Sequence, residues 1–300
     1  MPTAKWAALL ALVGLPMAAA GQPTPATSAE TRPATGFLHK TLSIAGETYA
    51  YAVYVPPDYT PDKPWPVILF LHGSGERGTD GMLQTDVGIG RALRRHHHLI
   101  PAVVVMPQCR PGRGWGGTME QLAIRCLEQT SRQYRVDPER VYLTGLSMGG
   151  HGAWHMAARY PKAFAAVVPI CGFAELKTAT GAAKQLAPHL ADLPIWCFHG
   201  ESDTNVPVSR SREMVAAIRE AGGTVKYTEY RGAKHFIWDR VYADRDLWTW
   251  LFAQHRPAAD RDNPQTTTKP APARNRNERD TTSIPDAGRP RASGRIMPTL

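Results

Sequence analysis

The sequence predicts an α/β fold, a mostly parallel sheet covered by helices on both faces and preceded by an antiparallel hairpin. Three observations predict it. Strand-like apolar runs alternate with helix-like segments from about residue 66 to residue 254, the pattern of successive strand–helix–strand units. The run Pro66-Val-Ile-Leu-Phe-Leu71 is apolar throughout, as a strand buried on both faces must be. Finally, Gly145-Leu-Ser-Met-Gly149 joins a strand-like run to a helix-like one, the setting in which a G-x-S-x-G turn presents a serine nucleophile.

In chain order, residues 37–45 and 48–55 read as the hairpin. Strands are expected near 66–72, 102–107, 140–145, 163–170, 194–199 and 224–230, and helices near 86–96, 118–134, 148–160, 209–222 and 241–254. Thr118-Met-Glu-Gln121 has the form of a capping box opening the second helix. Only about two dozen residues separate the strands at 163–170 and 194–199. One short helix near 181–190 uses most of them, so no large lid is expected there.

The chain has 300 residues and a formal net charge of +9. Its ends differ from its middle. Lys5, the apolar stretch Trp6–Leu15 and Ala18-Ala19-Ala20 compose a signal peptide over residues 1–20, too short in its apolar part to span a membrane. Residues 21–35 read as a Thr/Pro/Ala-rich linker, 36–256 as the folded domain, and 257–300 as a disordered Pro/Arg-rich tail. A periplasmic or secreted location follows, with no transmembrane segment left after cleavage. The excess positive charge forms no run beyond Arg94-Arg95, and nothing resembles a nucleic-acid-binding module.

A serine needs a general base, and the base an orienting carboxylate. Ser147 follows a strand, Asp203 lies just past the strand at 194–199, and His235 lies just past the one at 224–230. Ligand-binding and reactive groups of open parallel sheets collect at such strand ends. The expected triad is therefore Ser147, Asp203 and His235, with Glu201 the competing carboxylate. The oxyanion donors are expected to be the backbone N–H groups of Met148 and Ser74, with Gly75 next; the loop His72-Gly-Ser-Gly-Glu-Arg-Gly78 supplies the second. His72 and His199 each precede a glycine at a strand end and read as loop-orienting, while His151 and His155 read as packed or hydrogen-bonded on the helix after Ser147. Trp115 and Trp238 are candidate aromatic faces for substrate, with a packing role as the alternative for both. Cys109 and Cys126 are close enough to pair as a disulfide, whereas Cys171 and Cys197 read equally as buried thiols. Neither metal nor cofactor is expected: adjacent histidines His96, His97 and His98 diverge on a helix.

His72-Gly-Ser-Gly-Glu-Arg-Gly, Met106-Pro-Gln-Cys, Gly145-Leu-Ser-Met-Gly-Gly150, Phe198-His-Gly-Glu-Ser-Asp203 and Gly232-Ala-Lys-His235 together resemble the α/β-hydrolase superfamily. Over residues 37–255 the chain is similar to bacterial exported esterases of the feruloyl-esterase, acetylxylan-esterase and polyhydroxybutyrate-depolymerase-like branch. The resemblance implies ester hydrolysis through an acyl-enzyme on the triad above, with an ester substrate that is polysaccharide-linked or a related polyester. A serine peptidase or acyltransferase would use the same triad. A catalytically inactive binding protein is the alternative of a different class.

Overall fold

The protein is seen in a computed structural model that describes residues 33–175 and 181–256. The expected signal peptide, the tail and all but the last three residues of the expected linker lie outside them. The described residues build one eight-stranded sheet of order β1-β2-β4-β3-β5-β6-β7-β8. β1 (Gly36–Ile44) and β2 (Glu47–Val55) form the hairpin. Its two turn residues, Ala45 and Gly46, have φ of 50° and 86°, the positive values a tight two-residue hairpin turn demands. β2 also runs antiparallel to β4 (Val103–Pro107). All other neighbours are parallel: β3 (Trp65–Leu71) lies between β4 and β5 (Val136–Leu146), followed by β6 (Ala166–Ile170), β7 (Ile195–Gly200) and β8 (Val225–Tyr230).

Strand alternation splits the core in two. Val67, Leu69 and Leu71 of β3 enter one cluster and Ile68 and Phe70 the other, because successive side chains point to opposite faces. The first cluster is covered by α2 (Thr118–Gln133), α3 (Met148–Arg159) and α5 (Ser209–Glu220), through Leu122, Trp154 and Met214 among others. The second is covered by α1 (Ile89–His96), α6 (Trp238–Ala243) and α7 (Arg245–Phe252), through Leu93, Tyr242 and Trp248. Between β6 and β7 the described residues carry only α4 (Ala182–Leu186) and one 3-10 turn, Ala187–His189. A large lid is absent there among the described residues; residues 176–180 lie outside them.

Three expectations need correction. The capping box does not form: Gly117, at φ 53°, occupies the cap position with no side-chain cap, and the N–H of Gln121 bonds to the Gly117 carbonyl. Thr118 is therefore already the first helical residue, one place too late to cap. The single C-terminal helix is two helices. Asp244 leaves helical geometry at ψ 119° and caps α7 by accepting from the Asp246 N–H. Cys109 and Cys126 are not joined; all four cysteines are free and buried. Both lie within the apolar cluster under α2 and behave as small hydrophobes. Burial pushes the Cys109 thiol up to about 12 and Cys126 well above its ordinary value, so both stay protonated.

Candidate active site

The chain leaves β3 toward β4 on one side and returns to β5 on the other. The loops after β3 and β5 therefore diverge and open a crevice at the strands' C-terminal ends. Ser147 sits there, between β5 and α3, at φ 53° and ψ −116°. A non-glycine residue held in that region stores strain that the surroundings must enforce. Two glycines make the turn possible. A Cβ on Gly145 would lie 2.2 Å from the Gly149 carbonyl oxygen, and one on Gly149 would lie 1.9 Å from the carbonyl oxygen of Leu71 in β3. The Ser147 N–H is fixed by the Ile170 carbonyl at 2.8 Å.

Three sequence-predicted residues meet at this turn. His235 Nε2 stands 2.9 Å from Ser147 Oγ, and His235 Nδ1 stands 2.6 Å from Asp203 Oδ2. With Nδ1–H donating to the carboxylate, Nε2 is the acceptor for the serine hydroxyl. Asp203 Oδ1 takes the N–H groups of Asn205 and Val206, each at 2.9 Å. Burial alone would raise its carboxyl. Hydrogen bonds from His199, His235 and the Val206 N–H outweigh that and hold it well below the usual carboxylate range. Asp203 is thus a fixed anion. Glu201, the competitor, is exposed, and its carboxylate accepts the Gly232 N–H at 2.7 Å; it pins the loop that carries His235.

His199 has a closer part in the site than loop orientation alone. Its Nε2–H lies 2.9 Å from the Val206 carbonyl and 3.1 Å from Asp203 Oδ2, while Nδ1 meets Ser211 Oγ at 2.7 Å. Asp203 therefore lies between two imidazoles. Cys171 Sγ donates to the carbonyl of His235 at 3.3 Å, adding a tether to the same loop. Cys171, His199 and Asp203 place three ligand-type atoms within 4.8 Å of one another. Desolvation raises the Cys171 thiol well above its ordinary value, and the carboxylate is already shared by two histidines. The cluster fits a hydrogen-bonded support better than a metal site.

The loop after β3 passes directly over Ser147, since a Cβ on Gly73 would lie 3.7 Å from Ser147 Cβ. Ser74 opens the short 3-10 turn Ser74–Glu76 in that loop. Met148 is the first residue of α3, where an N–H has no partner within its own helix. His72 anchors the loop: its Nε2 accepts the Cys109 N–H at 2.9 Å and its Nδ1 lies 2.6 Å from the Gly73 carbonyl. Burial drives it down to about 4, which keeps it neutral. Gln108, not anticipated from sequence, braces the same loop. Its Oε1 accepts the Gly81 N–H at 2.6 Å and its Nε2 donates to the Glu76 carbonyl and to Asp80 Oδ2. His151 and His155 are hydrogen-bonded to the carbonyls of Phe173 and Ala174, in line with the sequence reading.

Neither tryptophan offers a face to a ligand. Trp115 is 2% exposed and donates Nε1–H to the His72 carbonyl at 2.9 Å. It is an internal strut of the loop after β3, so the packing alternative holds. Trp238 is 7% exposed and stands edge-on behind the His235 ring, centroids 5.4 Å apart. The aromatic ring that does face solvent beside the site is Phe236, at 69% exposure.

Comparison with known proteins agrees with this geometry. A phospholipase/carboxylesterase family matches residues 117–245, and an esterase family matches residues 43–114. A solved thermostable esterase is similar at 33% identity and a TM-score of 0.64, over 73% of this chain and 63% of that one. An uncharacterized secreted protein of Arthroderma benhamiae is 26% identical over 230 residues, 65% of this chain and 24% of that protein. A bifunctional acetylxylan esterase/xylanase of Neocallimastix patriciarum is 30% identical over 155 residues, 50% of this chain and 21% of that protein. The chain thus spans about a quarter or less of the length of these two curated relatives. The fold and these matches make the chain similar to esterases of the α/β-hydrolase superfamily.

Proposed function

We propose that this chain is an exported serine hydrolase that cleaves carboxylic esters through an acyl-enzyme. Its substrates would be acyl or aroyl esters carried by a polysaccharide, or a related polyester. The observation that carries the reading is the unbroken line Ser147 Oγ, His235, Asp203, with separations of 2.9 and 2.6 Å. In this mechanism His235 Nε2 takes the hydroxyl proton as Ser147 Oγ attacks the ester carbonyl. Asp203, already ionised, stabilises the imidazolium that forms. The N–H groups of Met148 and Ser74 receive the developing oxyanion. Collapse expels the alcohol, which takes the proton from His235, and water then repeats the sequence on the acyl-serine. No cofactor and no metal ion enters any step.

Export rests on the Lys5 to Ala20 segment and is supported by the secreted relative. The polysaccharide link is supported by the acetylxylan esterase relative. The test is Ser147→Ala. It should abolish labelling by a fluorophosphonate and cut ester hydrolysis by about four orders of magnitude or more, the fold being kept. Release from p-nitrophenyl acetate, methyl ferulate, acetylated xylan and a hydroxybutyrate polymer ranks the substrate classes. Labelling that persists in Ser147→Ala, or peptide cleavage without ester cleavage, would overturn the reading.

A further inference from the structure

Phe236 follows His235 directly in the chain, and among the described residues it is the large hydrophobic side chain left exposed. A lone phenyl at a protein surface is ordinary and needs no explanation. The place of this one does. Its ring stands 5.6 Å from the His235 imidazole at 72°, and 5.0 Å from the Trp238 indole at 74°. Both contacts are edge-to-face, the geometry aromatic pairs prefer. The ring is thereby held at the mouth of the site by two neighbours that are themselves buried, rather than swinging freely in water.

The chemistry of the triad says which part of a substrate reaches this ring. In the tetrahedral intermediate the former carbonyl oxygen points at the oxyanion donors. The bridging oxygen of the alcohol must face His235 Nε2, because that nitrogen delivers the proton as the carbon–oxygen bond breaks and the acyl-serine remains. The alcohol moiety therefore lies on the His235 side, and the acyl chain lies away from it. We infer that Phe236 is a platform for the ring of the leaving alcohol, a pyranose whose apolar face covers the exposed phenyl. The inference rests on the ester-hydrolase reading above and makes Phe236 a specificity residue for the alcohol side.

Two isomeric esters test it: benzyl acetate, with its ring on the alcohol, and methyl phenylacetate, with its ring on the acyl group. Phe236→Ala should lower the ratio of kcat/KM for benzyl acetate over methyl phenylacetate by about fivefold, through KM, as loss of one aromatic contact implies. KM for an acetylated xylo-oligosaccharide should rise to a similar extent. Phe236→Trp should restore both. Because the side chain is exposed, an unchanged melting temperature is expected and excludes a folding defect. An unchanged ratio, or a larger loss on methyl phenylacetate, overturns the inference while leaving the esterase intact. Failure of the parent protein to hydrolyse either ester overturns the ester-hydrolase reading, and this inference with it.

Discussion

Asp203 and Glu201 are two residues apart at the end of β7, and their surroundings separate them. Asp203 is buried and receives hydrogen bonds from two imidazoles and two backbone N–H groups, whereas Glu201 reaches a single backbone N–H from solvent. Asp203→Asn should lower kcat by about three to four orders of magnitude by spoiling the orientation of His235. Glu201→Gln should cost less than about tenfold, since an amide oxygen can still accept from Gly232. Steady-state rates on one small ester decide between them, and a reversed order would redraw the triad through Glu201. That Ser147, Asp203 and His235 would come together was legible because three reactive types fell at three strand ends in a set order. The roles of Trp115, Trp238 and Phe236 were not, because aromatic residues near a site differ only in burial. That follows from tertiary packing: Trp115 fills the space over Gly152, and Phe236 has nothing above it. The place of His199 against Asp203 was hidden for a similar reason, since the three residues between them had to fold back to bring the two together.

Among the elements, the turn from β5 to α3 is the most constrained. Gly149 packs against the carbonyl of Leu71 in the central strand β3, and backbone buried on both faces cannot retreat. Gly149→Ala should therefore destabilise the protein by at least about 3 kcal/mol. Gly114→Ala makes the control, because nothing lies within 4 Å of the position a Cβ would take there; its effect should stay within about 0.5 kcal/mol. Urea unfolding of the two variants checks this, and a Gly149→Ala change of under about 1 kcal/mol would refute the close approach. The glycine pattern announced this element in the sequence. Other boundaries were less visible. The apolar positions Val241, Tyr242, Leu247, Trp248 and Leu251 all enter one core cluster, so their periodicity carries straight across the break between α6 and α7. The cap at Asp244 is a local polar event that a hydrophobic pattern does not register. At α2 the reverse happened: a side-chain motif suggested a cap, but the positive φ of Gly117 set the start one residue earlier.

For the whole molecule, uninterrupted apolar strands at β3 and β4 made a sheet covered on both faces legible, since only double burial tolerates such runs. The strand order was not, because which strand pairs with which is decided by crossovers that leave no local mark; the crevice between the loops after β3 and β5 exists only once β3 is central. That sheet also buries titratable groups whose protonation tracks the stability of the entire domain. Burial lowers His72 to about 4, and burial together with the neighbouring His155 lowers His151 to about 3. In the unfolded chain both titrate near the ordinary value of about 6.5. As pH falls below about 6.5 the unfolded state gains protons that the folded state refuses, so stability is full above that pH and declines as it drops. The limit is about 1.4 kcal/mol per pH unit for each histidine. The decline should continue to about pH 4 for His72 and about pH 3 for His151. Asp203, Asp80, Asp137 and Glu229, whose carboxyls are held low, add their own losses only below about pH 5, so the range from about pH 6.5 to 5 is left to the histidines. His72→Gln keeps an acceptor for the Cys109 N–H and removes the titrating group. Urea unfolding at a series of pH values should find the slope over that range reduced by close to one proton in this variant. An identical slope would mean that His72 takes up its proton in the folded protein as readily as in the unfolded chain, and that its burial beneath the loop after β3 does not hold in solution.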